Sequence, residues 1–243
     1  MKNIKIIAEA GSNWNGDEKI AKRIIRQAKI AGADYVKFQM WKANELFDRT
    51  DPNWKFVKRA EFSTSLVKKL KKYAEECEIE CFWSVFYPES IEILEDVGVK
   101  LYKIASWTAA LKHKNALETM ERVAITRKPV IISMGYGGDT KKIRHIFRNN
   151  KKYFLYCVPK YPTQIKEIEF NLMRGYDGFS DHTEGYLAPI LFALQNRASR
   201  KVKFLEKHVS LPESEGPDKP FAMTMADFMS MVQELRKIKC ITY

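Results

Sequence analysis

A closed (β/α)₈ TIM barrel, an α/β single domain over residues 1–243, is the fold this sequence predicts, on three observations. Short β-branched and aromatic runs alternate with amphipathic stretches from end to end. Eight such pairs fit a chain of 243 residues, close to the ~250 that a barrel of eight strand–helix units needs. Polar, chemistry-bearing side chains recur at the ends of the strand-like runs. An open doubly wound sheet is the structural alternative.

Strands are expected at "IKIIAEA" (4–10), "DYVKFQM" (34–40), "ECFWSVF" (80–86), "LYKIAS" (101–106), "PVIISM" (129–134), "YFLYCV" (153–158), "YDGFSD" (176–181) and "VKFLEKH" (202–208). The helix after the first strand is the clearest. Asp17 can cap it, Ile20, Ile24, Ile25, Ala28 and Ala31 form one apolar face, and Gly32 can end it. The others begin near Thr64, Pro88, Asn115, Asp139, Gln164, Tyr186 and Met225. The last should end near Ile238, so no second domain is expected after it, and no linker, low-complexity segment or internal repeat is visible.

No apolar run approaches the ~20 residues that cross a bilayer, and Glu9 interrupts the N-terminal run before a signal-peptide core develops. A cytoplasmic protein without a membrane partner is expected. Cys77, Cys81, Cys157 and Cys240 suggest neither a disulfide framework nor a zinc pattern, so reduced thiols are expected. The formal charge of +12 invites a polyanion. Its lysines, however, sit in "KKLKK" (68–72) and "KKIRHIFR" (141–148), alternating with apolar residues at helical spacing as solvated helix faces do. No nucleic-acid partner is expected; the charge suits solubility first, and a positive field that draws in a small anionic substrate second.

In a barrel, catalytic residues belong at the C-terminal ends of the strands. Those ends carry Glu9, Lys37, Gln39, Ser84, Lys103, Ser106, Ser133, Cys157, Tyr161, Ser180, Asp181, His182, Glu206 and His208. Lys37 and Lys103 lie inside apolar strands, where an unpaired ammonium is costly, so each needs an anionic partner. A carboxylate such as Glu9 or Glu206 is one candidate. A bound phosphate or carboxylate is the other, favoured by serines at neighbouring strand ends. Of the four histidines, His113 and His145 fall in lysine-rich helical surroundings and are expected on the surface. His182 and His208 end adjacent strands, where two imidazoles can share a divalent metal and leave positions open for water and substrate.

Taken together, several stretches resemble the sialic acid synthase family, enzymes that condense phosphoenolpyruvate with an N-acetylated aldose to make nonulosonic acids. They are "IIAEAGSNWNGD" (6–17), "AGADYVKFQ" (31–39), "VGVKLYKIAS" (97–106), "KPVIISMG" (128–135), "YCVPKYPT" (156–163), "GFSDHTEG" (178–185), "EKHVS" (206–210) and "GPDKPFAM" (216–223). The resemblance implies phosphoenolpyruvate and an aldose, N-acetylmannosamine or a related modified sugar, as partners, and Mn²⁺ or Mg²⁺ as cofactor. Lys37, Lys103, Ser106, Ser133 and Ser180 look like donor-binding positions, and Gln39, Ser84 and Asp181 join the substrate-binding set. His182 and His208 look like the metal ligands, Glu9 like the acidic residue beside the metal, and Tyr161 and Asp218 like acceptor contacts.

Departures gather on the acceptor side. Trp14 stands where the family usually has histidine, Ser84-Val85-Phe86 where serine-threonine-proline is common, Thr108 where a glutamate is frequent, and Pro159 where asparagine or serine is common. The resemblance covers the catalytic barrel only, without the family's usual C-terminal antifreeze-like domain, and leaves room for a homo-oligomer. The alternatives are a catalytically silent barrel that binds sugar or anion, or serves as a partner subunit, and a metal hydrolase using the same histidines.

Overall fold

The first strand shows how the sequence builds the barrel. In β1 (Ile4–Glu9) successive side chains point to opposite faces, so Ile7 and Glu9 look inward while Ile6 and Ala8 look outward. The computed structural model describes residues 4–197, 199 and 203–238. It repeats this pattern in β2 (Tyr35–Met40), β3 (Glu80–Val85), β4 (Tyr102–Ile104), β5 (Val130–Ser133), β6 (Lys152–Cys157), β7 (Gly178–Asp181) and β8 (Lys203–Ser210). Each strand pairs in parallel with the next, and β8 pairs with β1, which closes the cylinder. The closed (β/α)₈ barrel is therefore the observed fold.

Strand order fixes two layers inside it. A lower plug of Ile7, Phe82, Leu101, Ile131, Leu155 and Phe204, with Tyr35 and Tyr153 packed against it, fills the interior with apolar side chains. Two residues further along the same strands stand Glu9, Lys37, Ser84, Lys103, Ser133, Cys157 and Glu206. Period two thus places a polar layer directly on an apolar floor, at the end of the barrel where the strand-to-helix loops emerge.

The outward faces pack against helices in the main core. Glu18–Ile30, capped by Asp17, Thr64–Glu76, capped by Ser63, and Met225–Ile238 supply its longest helical faces. Most expected helices appear within two residues of their expected starts. The sixth is the exception: a 3-10 turn at Ile165–Glu167 and one helical turn at Phe170–Met173 replace it. The capping pair Gln164 and Glu167 closes the first turn there, and Gly175 follows the second. The eighth strand runs on to Ser210 because Val209 and Ser210 pair with β9 (Met223–Thr224) outside the barrel. Val202, the expected first residue of that strand, and Cys240 lie outside the described residues. Cys77, Cys81 and Cys157 are free thiols.

The connection after β2 carries two short helices that the sequence pattern does not announce, Ala43–Leu46 and Trp54–Arg59. Trp41 Nε1 donates to the Val57 carbonyl at 2.8 Å and the Ala43 amide to Glu61 at 2.6 Å, which ties this segment to itself. Asn115 reaches Glu45, and the Phe47 and Trp107 rings meet at 6.1 Å, which ties it to the loop after β4. Among the described residues no helix is long and apolar enough to cross a membrane.

Candidate active site

The polar layer is a network of paired charges. Lys37 and Glu9, register partners on β1 and β2, form a buried ion pair, and Lys37 also lies 3.7 Å from Glu206. Lys103 lies 3.8 Å from the other oxygen of Glu206. Each ammonium also donates to a serine, Lys37 to Ser84 at 2.8 Å and Lys103 to Ser133 at 2.7 Å. Ser180 donates to Glu206 at 2.7 Å and Gln39 to Glu9 at 2.6 Å. Two ammonium groups and two carboxylates thus compensate one another out of contact with water.

Their environments differ. Burial pushes the Glu9 carboxyl up to about 7, against the pull of Lys37. Burial also acts on Glu206, but Lys103 and Lys37 together overcome it and hold that carboxyl down at about 2. Burial lowers Lys103 below its usual value, whereas Lys37, drawn by Glu206 and Glu9, is raised despite its burial. Of the four, Glu9 is the group whose proton moves near neutral pH.

His182 and His208 crown this layer, their ring centroids 5.7 Å apart. Both are buried, and burial depresses both to about 4, so at neutral pH they are uncharged imidazoles with a free lone pair. His182 Nδ1 donates to the Val158 carbonyl at 2.9 Å, which leaves Nε2 as the acceptor nitrogen. His208 Nδ1 is buried without a partner. Gly11, at φ +51, lets the loop after β1 pass close to Asp218 and His208: a Cβ there would press on Asp218 and come within 3.2 Å of His208 Nδ1.

A small polar pocket of about 50 Å³ is lined by Lys37, Ser84, Lys103, Ser133, Ser180 and Glu206, with both histidines at its edge. It opens into a larger cavity of about 240 Å³, with which it shares Gln39, Ser106, Tyr161 and His208. Tyr161 covers the junction, its ring 4.2 Å from that of His182 and 5.1 Å from Phe221. The peptide bond from Tyr161 to Pro162 is cis. Asp218 lines the outer cavity and accepts from the amide and hydroxyl of Ser12, both at 2.6 Å.

A sequence model described as the NeuB family matches residues 24–242. The chain belongs to the NeuB family. It is 27% identical to the N,N'-diacetyllegionaminic acid synthase of Campylobacter jejuni over 98% of this chain and 77% of that protein. It is 27% identical to the human N-acetylneuraminate-9-phosphate synthase over 96% of this chain and 70% of that one. Among solved structures, the N-acetylneuraminic acid synthetase of Leptospira borgpetersenii in complex with citrate superposes with a TM-score of 0.86. That comparison has 26% identity and covers 98% of this chain and 84% of that one.

For this NeuB-family chain, fourteen of the fifteen sequence-derived positions converge at the barrel mouth: Glu9, Lys37, Gln39, Ser84, Lys103, Ser106, Ser133, Cys157, Tyr161, Ser180, His182, Glu206, His208 and Asp218. Asp181 does not join them. It faces the outer side of the barrel wall, accepting from the amide and hydroxyl of Thr183 at 2.9 and 3.0 Å and from Lys207 at 2.7 Å. Its oxygens are engaged in that clamp and not offered to a ligand.

His113 also departs from expectation. It sits in a bend, half-buried, with Nε2 3.0 Å from the Thr108 hydroxyl, and burial lowers its basicity. Trp14 packs into the outer core, stacked on Phe62 at 4.5 Å. Cys157 lines the polar pocket, with its thiol pushed up to about 12 by burial and therefore protonated. Glu206, expected as an anionic partner of the lysines, lies 3.7 Å from Lys37 and 3.8 Å from Lys103. Lys207, which the sequence pattern does not single out, is fully buried beside it on β8.

The residues present suit a divalent ion in part. Two neutral imidazoles, one with an orphaned buried nitrogen, can supply two ligands, and no cluster of three or more His, Cys, Asp or Glu stands ready to hold a metal among the described residues. Water or substrate oxygens would have to complete the coordination.

Proposed function

We propose that this chain condenses phosphoenolpyruvate with an aldose, releasing phosphate and forming a nonulosonic or related ulosonic acid. The observation that carries the reading is the pairing of Lys37 and Lys103 with Ser84 and Ser133 beneath two uncharged histidines. Buried ammonium and hydroxyl donors match phosphate and carboxylate oxygens. The synthase names of the relatives support the same reaction class.

Phosphoenolpyruvate would take over lysine contacts now made by Glu9 and Glu206, since the polar pocket is small while those ion pairs are closed. The lysines hold the donor in line by position and charge. His182 and His208 would hold a manganese or magnesium ion, which when bound polarises the aldehyde carbonyl of the open-chain sugar. The donor's methylene carbon then bonds to the aldehyde carbon while the aldehyde C=O π bond opens to an alkoxide, and positive character develops at the carbon bearing the phosphate. Water adds at that carbon, giving a proton to Glu9, which passes it to the alkoxide; the carbon–oxygen bond to phosphate then breaks, and the added hydroxyl gives its proton to the leaving phosphate and becomes the keto group. Glu9 suits the proton because its carboxyl titrates near 7.

Phosphate release from phosphoenolpyruvate that requires an added aldose and is lost in His208→Ala tests the reading. Release without any sugar would describe a hydrolase instead.

A further inference from the structure

The cavity outside the polar pocket has a composition that bears on the acceptor. Trp41, Phe47, Phe86, Trp107, Tyr136 and Tyr161 line it, and its lining contains no lysine or arginine. Its one carboxylate, Asp218, is fixed by two hydrogen bonds from Ser12. Lys112 rides over the Tyr136 ring at 5.0 Å and is not part of the lining.

We infer that the acceptor is an uncharged aldose and not a sugar phosphate. The inference rests on the reading that an aldose occupies this cavity, and it settles a choice that the family leaves open, because relatives include a synthase named for a phosphorylated product and one that is not. A phosphoryl dianion needs ammonium or guanidinium partners to offset its lost hydration. The lysines of the inner pocket are committed to Glu9 and Glu206 and, with substrate, to the donor. A second phosphate in the outer cavity would meet aromatic carbon and the Asp218 carboxylate, and like charges brought together in this way repel and disfavour binding. Aromatic faces instead suit the C–H faces of a sugar ring or an acetyl methyl, while Gln39, Ser106 and Asp218 offer polar partners to hydroxyl groups. The carboxylate therefore serves selection as well as binding, as a repulsive element against the phosphorylated form.

Tryptophan fluorescence of the manganese-loaded protein reports the cavity directly through Trp41 and Trp107. It would be titrated with N-acetylmannosamine, N-acetylglucosamine and the 6-phosphate of each, alongside phosphate release from phosphoenolpyruvate with the same four sugars. The expected result is that at least one neutral sugar binds about 100-fold more tightly than its 6-phosphate, and that Asp218→Asn narrows the gap. A second variant, Leu46→Lys, adds a cation to the wall and is expected to raise 6-phosphate affinity at least about tenfold. Equal or tighter binding of a 6-phosphate by the unsubstituted protein overturns the inference, and so does the failure of every neutral sugar to bind. Tighter binding of a neutral sugar without turnover by any sugar leaves the inference standing and counts against the condensation. Turnover confined to a sugar phosphate does the reverse.

Discussion

Lys207 Nζ and Asp181 Oδ2 lie 2.7 Å apart with both side chains fully buried, one residue from His208 and one from His182. Lys207 also donates to the Thr183 carbonyl, so the clamp grips the chain on both sides of His182. A buried pair of this kind stabilises little compared with apolar residues of the same shape, but breaking it strands a charge. Its consequence is positional: it fixes the backbone from which His182 projects.

Removing one partner is therefore expected to be costly. Lys207→Met should destabilise the fold by about 3–5 kcal/mol, and Lys207→Met with Asp181→Leu by less. Urea unfolding of both variants checks this. Isothermal titration of Asp181→Asn with manganese should show affinity reduced by about 10–100-fold, as for partners that orient metal ligands. An unchanged manganese affinity would make the clamp purely structural.

Donor binding should depend on the two lysines unequally in mechanism but similarly in size. Lys103→Gln keeps a donor near Ser133 and loses the charge, while Lys37→Gln also deprives Glu9 of its counter-ion. Either change should weaken phosphoenolpyruvate by at least about tenfold, from hydrogen bonds to charged groups worth about 1.5–3 kcal/mol. Calorimetric titration with phosphoenolpyruvate measures it.

Glu9 sets an expected pH limb. Its carboxyl is pushed up to about 7, and the deprotonated form is the one that can accept a proton from water. Turnover should rise with pH through about 7 and level above it. Glu9→Gln should lose this limb together with about 10²–10⁴-fold in rate. A pH profile of kcat/KM for phosphoenolpyruvate, which reports groups of the free enzyme, tests both.

At the other end of the barrel, Asp34 accepts from Lys5, the Ile6 amide and Arg236, each at 2.9 Å. Burial opposes its ionisation, but these donors prevail and hold the carboxyl below its ordinary 3.8. A depressed carboxyl contributes stability above the unfolded-state value and loses it as pH falls through the folded-state value. Asp34→Asn should be less stable at pH 7 by about 1–3 kcal/mol, with the gap closing as pH drops below 3.8. Urea midpoints at pH 7, 5 and 3 show whether it does.

Much of the barrel interior is legible because period two in strands is unambiguous when one face must be apolar. Ile7 to Glu9 and Phe82 to Ser84 each step from the plug to the polar layer by that rule. Lys37 and Lys103 announce anionic partners, and the structure supplies Glu9 and Glu206 with serines beside them. The misread residues lie where the rule lacks information. Asp181 ends a strand and is therefore expected at the substrate, while Lys207 is not singled out; both alternate with inward residues, and the outside of a barrel is covered and buries them. His113 lies in lysine-rich sequence, but its contact with Thr108 depends on a bend that no periodicity specifies. The aromatic outer cavity is assembled from loops after different strands, and loop geometry is the part of such a fold that spacing encodes least.

Formation of a carbon–carbon bond is the central claim, and it can be observed directly. The manganese-loaded protein would be given phosphoenolpyruvate labelled with ¹³C at the methylene carbon and N-acetylmannosamine, together with other neutral aldoses, labelled with ¹³C at the aldehyde carbon. The account predicts a new ¹³C–¹³C coupling between those two carbons, appearing in step with inorganic phosphate and in a product whose mass is that of sugar plus pyruvate. Phosphate released together with labelled pyruvate, and no coupled carbons with any aldose, would contradict it.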